Sequence, residues 1–136
     1  MLPIQIDRIQ RAVPMSPRFE RWRDSRAPVA RGEGYEVQVH SGRHRGVANT
    51  RAMAAARTLL EIRLDGAKRV ELEVPCGQRA FLVIVSGAGR IEGDDTVVKT
   101  DDIVWFKSVE GEEPVLLGLE AEIELRALLY SEASLE

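Results

Sequence analysis

The chain has 136 residues, 44% of them hydrophobic, enough for one core and a single domain. Its 19 basic and 22 acidic residues leave a formal charge of −3, too balanced for composition to point to nucleic acid. A single cysteine, Cys76, excludes an internal disulfide, and no membrane-length apolar run or charged signal-like start is present, so a soluble, cytoplasmic protein is expected.

The charge is unevenly spread. Residues 1–57 hold 11 arginines and 5 acids, whereas residues 58–136 hold 8 basic and 17 acidic groups, so the first part is expected to be drawn to the second, in the same chain or in a neighbour. Residues 1–34 read as an irregular arm, because Pro3, Pro14, Pro17 and Pro28, with Gly32 and Gly34, interrupt every long helical or strand period. Within it "PRFERWRDSR", Pro17 to Arg26, sets Phe19 and Trp22 three apart among alternating charges, which suits one helical turn anchored by two aromatics. Phe19, Trp22 and Arg23 are candidate interface residues. The four arginines around Trp22 also fit a nucleic-acid patch with a stacking ring, but Glu20 and Asp24 weaken its field, and an arm docked on an acidic barrel explains the same residues.

From Tyr35 the pattern turns to period two. "YEVQVH" places Tyr35, Val37 and Val39 on one face, and "RVELEV" places Val70, Leu72 and Val74 on one face with Glu71 and Glu73 toward water. "LLEIRL" (Leu59 to Leu64), "TVVK" (Thr96 to Lys99), "DIVWF" (Asp102 to Phe106), "PVLLGL" (Pro114 to Leu119) and "EIELRALLY" (Glu122 to Tyr130) read the same way, and "FLVIV", Phe81 to Val85, is apolar on both faces. Turn signals separate them: "LDGAK", "SGAG", "EGDD" and "EGEEP". The alanines of "TRAMAAARTLL", Thr50 to Leu60, favour a helix; its first half reads as loop or one helical turn and its end as strand. Many short strands at this spacing argue for a sandwich or barrel.

The stretch "RTLLEIRLDGAKRVELEVPCGQRAFLVIVSGAGRIEG" resembles the segment of pirin-type cupins in which two strands lead through a Pro-x-Gly turn into an apolar strand and a glycine turn. "DDIVWF" resembles that family's Gly-Asp strand with Asp101 in place of the glycine, and "LRALLYSEASL" resembles its closing strand. "MSPRFERWRDSRAPVARGEGYEVQVHSGRHRG" resembles the linker and first strand of the C-terminal half of pirins. The resemblance implies an all-β fold, a single cupin (double-stranded β-helix or jelly-roll) barrel over residues 35–136 with an irregular N-terminal arm, 1–34. Leu135–Glu136 could instead begin a vector-encoded tail.

Metal-binding cupins take His-x-His, a Glu and a further His from inward strand positions. This chain has only His40 and His44, both upstream of the first cupin motif. Counting back from the Ser86–Gly87 turn places Phe81 at the inward position that the resemblance assigns to the Glu ligand, so a phenyl ring is expected in the metal's place. No metal, no cofactor and no catalytic residue is therefore assigned. His40 and His44 read as surface loop residues and Cys76 as an unreactive turn thiol, despite Arg79 nearby. Asp94–Asp95 and Asp101–Asp102 read as solvated turns rather than as paired carboxylates. Arg79, Phe81, Val83, Val85 and Trp105 are candidates for lining a small-molecule pocket, with core packing as the simpler account.

The function expected is a non-catalytic, metal-free binding or assembly module that homodimerises. The alternative is a cupin enzyme, quercetin-dioxygenase-like or a metal-independent isomerase, served by a separate metal-bearing cupin partner where a metal is needed. No nucleic acid and no membrane is expected as partner.

Overall fold

The computed structural model describes residues 4–11, 26–49, 57–93 and 96–133. Among them there are no helices, and twelve strands follow one another: β1 (Ile6–Gln10), β2 (Val29–Gly32), β3 (Tyr35–His44), β4 (Val47–Asn49), β5 (Arg57–Leu64), β6 (Arg69–Val74), β7 (Gln78–Ser86), β8 (Ala88–Ile91), β9 (Thr96–Lys99), β10 (Ile103–Phe106), β11 (Val115–Ala121) and β12 (Leu125–Ala133). All pair antiparallel. The larger sheet runs β1-β10-β7-β12-β5-β3-β2, with β4 paired to β3, and the smaller runs β6-β11-β8-β9. The two sheets close on each other as a cupin jelly roll.

Period-two burial builds this core. Val70, Leu72 and Val74 of β6 and Val115, Leu117 and Leu119 of β11 point inward from the smaller sheet, while Glu71, Glu73 and Glu120 of the same strands face away. From the larger sheet come Val37, Val39, Leu60, Ile62, Leu64, Leu82, Ile84 and Leu129. Each such aliphatic side chain, taken from water, stabilises the fold by about 1.5–3 kcal/mol. Polar groups outside the core pair across strands, as in the fork that Arg69 makes with Glu92 at 2.6 and 2.7 Å.

Two strands lie inside the stretch read as an irregular arm. The prolines of residues 1–34 flank them rather than interrupt them: Pro28 directly precedes β2, and β1 falls between Pro3 and Pro14. Both are edge strands, where a neighbouring proline takes no ladder hydrogen bond away. Ile4 extends β1 into the core, its N–H donating to the Leu116 carbonyl at 2.8 Å, so this segment touches both sheets. Residues 50–56, where a helical turn was weighed, and Phe19, Trp22, Arg23, Asp94–Asp95 and Leu135–Glu136 lie outside the described residues.

Gly87 holds the β7–β8 corner with φ of 95°, and a Cβ there would overlap the Glu124 carbonyl. Gly77, also at positive φ, faces open space. In urea unfolding, Gly77→Ala is expected to cost about 1 kcal/mol for the left-handed backbone alone, and Gly87→Ala more than about 3 kcal/mol because backbone must also move.

Candidate functional site

The five residues nominated for a pocket share a strand pair, but the structure turns them away from the barrel interior. On β7 the inward residues are Ala80, Leu82 and Ile84; Phe81 and Val83 project from the opposite face. The physical reason is a bulge. Arg126 pairs with Ser86 while Ala127 pairs with Ile84, so Val85 is an extra residue, and counting from the Ser86–Gly87 turn through it inverts the facing of everything upstream. Phe81 therefore does not occupy the interior, and Trp105 joins it outside while Phe106 packs in the core. Arg79 is exposed on the same outer face.

What the sheet assembles there is an aromatic row. Register places Trp105 beside Phe81 and Phe81 beside Tyr130, with ring centroids 4.9 and 5.1 Å apart. The Arg8 guanidinium lies 4.9 Å from the Trp105 ring centroid, and the indole N–H donates to Gln10 Oε1 at 2.9 Å. The Tyr130 hydroxyl donates to Glu132 at 2.5 Å, and burial together with that contact pushes its pKa up to about 12. Around the row, Leu59, Val83 and Leu128 are only 0–2% exposed although none belongs to the main core, so the outer face carries a second apolar layer.

The interior offers a metal no ligand set. Its inward positions are apolar, aliphatic apart from Phe106, and among the described residues no three His, Cys, Asp or Glu side chains converge. Donor chemistry and site do not fit.

Both histidines, read from the sequence as surface groups, are buried. His40 sits at a β3 irregularity opposite β5, its Nε2 3.1 Å from Glu61 Oε1, while the other Glu61 oxygen accepts from Arg126 at 3.2 Å. His44, at the end of β3, meets the Tyr35 ring edge-on at 6.1 Å, and its Nε2 has no hydrogen-bond partner. Burial, and then the Arg45 charge, lower its pKa, with Glu73 opposing them. The turn Asp101–Asp102 is not simply solvated. Asp101 takes φ of 72°, but Asp102 is fully buried, accepting from Arg11 Nη1 at 2.6 Å and from the Lys99 N–H at 3.0 Å. Cys76 lies in the β6–β7 turn as expected, its thiol donating to the Glu113 carbonyl. The sequence signal that could have found the buried histidines is weak, since Ser41 and Gly42 suggested a turn where β3 continues.

Of the surface clefts among the described residues, two are bordered by both signs of charge. One, of about 270 Å³, is bordered by Arg31, Gly32, Tyr35, Glu36 and Arg63. The second, of about 260 Å³, lies between Arg43 and Thr58 on one side and Glu73, Pro75, Cys76 and Glu112 on the other.

No protein-family model and no curated protein matches the sequence. Solved structures do. The chain is similar to the crystal structure of GK1651 from Geobacillus kaustophilus, at 27% identity and a TM-score of 0.77 over 82% of this chain and 45% of that one. It is similar to quercetin 2,3-dioxygenase from Acinetobacter baumannii, at 17% identity and 0.63 over 74% and 33% of the two chains. It is also similar to ectoine synthase from P. lautus, at 13% identity and 0.53 over 79% and 70%. The chain thus spans less than half the length of the first two. Among the described residues no helix is long and apolar enough to cross a membrane. The fold is that of the cupins.

The lowered pKa of His44 sets a direction for stability. The folded state resists protonating this imidazole while the unfolded chain does not, so between the folded value and about 6.5 the unfolded state binds more protons and stability falls as pH falls. His44→Gln is expected to flatten that part of the melting-temperature profile between about pH 7 and about pH 5; an unchanged slope would remove His44 as its source.

Proposed function

We propose that this chain is a non-catalytic, metal-free cupin module of the cytoplasm, similar to the C-terminal half of pirins, that works by assembly through the outer face of its larger sheet. The observation that carries the reading is where the apolar groups go. Among the described residues the inward positions are packed with apolar side chains, while Trp105 and Phe81 stand half-buried outside beside Tyr130. Amphipathic rings on a sheet face are the side chains that interfaces favour. Leu59, Val83 and Leu128 are already covered within the subunit, so a second copy meets what stays open on this face, the half-buried Phe81 and Trp105, with Arg8 and Glu132 offering both signs of charge to the two-fold mate. The similarity to part of the longer GK1651 chain supports a unit built to pack against further protein. Phe19, Trp22 and Arg23 belong to the stretch joining β1 to β2, the two edges of this sheet, and on this reading they supply part of the cover.

Native mass spectrometry is expected to give a dimer of the unmodified chain, and Trp105→Glu is expected to shift it to monomer with far-UV circular dichroism unchanged. A wild-type monomer would sink the assembly reading. A Phe19→Ala/Trp22→Ala double variant that keeps the dimer at full strength would remove the arm from it.

A second reading, a cupin enzyme, is favoured by one observation: Tyr35 and His44 set a titratable pair near the 270 Å³ cleft that Tyr35 borders. Quercetin dioxygenase and ectoine synthase share the fold. Since the described residues form no ligand set, oxygenase chemistry on this reading needs a metal-bearing cupin partner, whereas a metal-independent isomerase would rest on Tyr35 and His44. Sugar-isomerase turnover abolished by either Tyr35→Phe or His44→Gln would establish it in place of the module.

A further inference from the structure

The second cleft differs from the first in how its charges are treated. In the first, Arg31 is paired with Glu36 at 3.1 Å. In the second, Arg43, Glu73 and Glu112 border one space of about 260 Å³, and among the described residues none of these three side chains makes a hydrogen bond or ion pair. Opposite charges on facing walls that do not close on each other leave room for a molecule that carries both.

The walls are held in place. Arg43 stands on the β3–β4 hairpin, which is anchored by Ser41 Oγ donating to the Arg57 carbonyl at 2.8 Å. Asn49 donates to the Val39 and His40 carbonyls, both at 3.1 Å, and Gly42 lies so close to Thr58 that a Cβ would come within 2.9 Å of its hydroxyl. The facing wall is stiffened by Pro75 and Pro114 and by the hydrogen bond from Cys76 to the Glu113 carbonyl. Behind Arg43, the buried His44 is held toward its neutral form and adds no second cation near neutral pH.

We propose that this cleft binds a small zwitterion of amino-acid size, its carboxylate met by Arg43 and its ammonium by Glu73 and Glu112. The chemistry selects against other classes. An anion without a positive group meets two carboxylates, a cation without a negative group meets Arg43, and an apolar molecule leaves all three charges desolvated without partners. The volume lies just under the range of about 300–1,000 Å³ that holds drug-sized ligands, which suits an amino acid. The inference does not rest on assembly, since binding is read on each subunit whatever the oligomer.

Titration calorimetry with the full chain tests it, using L-alanine and L-valine against N-acetyl-L-alanine, which lacks the ammonium, and L-alaninamide, which lacks the carboxylate. The free amino acids are expected to bind, and the two blocked forms to bind at least about tenfold more weakly, the value of one charge-assisted hydrogen bond. Arg43→Gln and Glu73→Gln are each expected to weaken the free amino acids by a similar factor while keeping the melting temperature of the unliganded protein. Absence of binding by either free amino acid at millimolar concentration would overturn the proposal. So would equal affinity for the blocked forms, or full affinity in both variants.

Discussion

One extra residue in β7 governs how this barrel presents itself. Val85, bulged opposite Arg126 and Ala127, lets the strand leave its corner at Gly87 and still send Ala80, Leu82 and Ile84 inward. Because β10 and β12 are registered to β7, the choice propagates: Phe106, Val104, Ala127 and Leu129 go in, and Trp105, Leu128 and Tyr130 go out. A barrel of this kind can keep donors inside for an ion or fill the space with hydrocarbon. Here the strand facing fills it, and the large aromatic surfaces are delivered outside.

That division moves the candidate chemistry to the rims and the outer face. Two charged pairs at the periphery of the larger sheet fix buried polar groups, Asp102 held by Arg11 and His40 by Glu61, which also accepts from Arg126. Truncating one partner of such a pair leaves the other uncompensated, so these contacts act as registration points rather than as free acids and bases. At the barrel mouth the situation is reversed. The β3–β4 hairpin is tied down by Ser41 and Asn49, yet the Arg43 side chain on it has no hydrogen-bond or ion-pair partner among the described residues, a combination of rigid support and unspent charge that suits recognition.

Much of the architecture was legible along the chain because its signals are local. Alternation in "RVELEV" and "PVLLGL" marks β6 and β11, and in the first it also identifies the inward residues Val70, Leu72 and Val74, since both strands are regular and solvated on one face. The run Phe81 to Val85 is apolar on both faces, and its outward Val83 is buried at 0% exposure while Phe81 and Val85 are half-buried. Facing failed on the same strand because a bulge is specified by its partner strand and leaves no mark in a run of uniformly apolar residues. The histidines failed for a related reason: a short polar stretch such as "HSGRH" looks like a turn until the strands that bury it are in place.

The sequence by itself determined the all-β character, most strand positions, the turns and the scarcity of metal ligands, because each follows from residue type and from spacing of two or a few residues. Only the tertiary structure decided which face of β7 is the inside, that Asp102, His40 and His44 are buried, and that Arg43 meets Glu73 and Glu112 across one cleft. Those properties belong to residues far apart in the chain, brought together by register, bulges and sheet closure, and no local pattern encodes them.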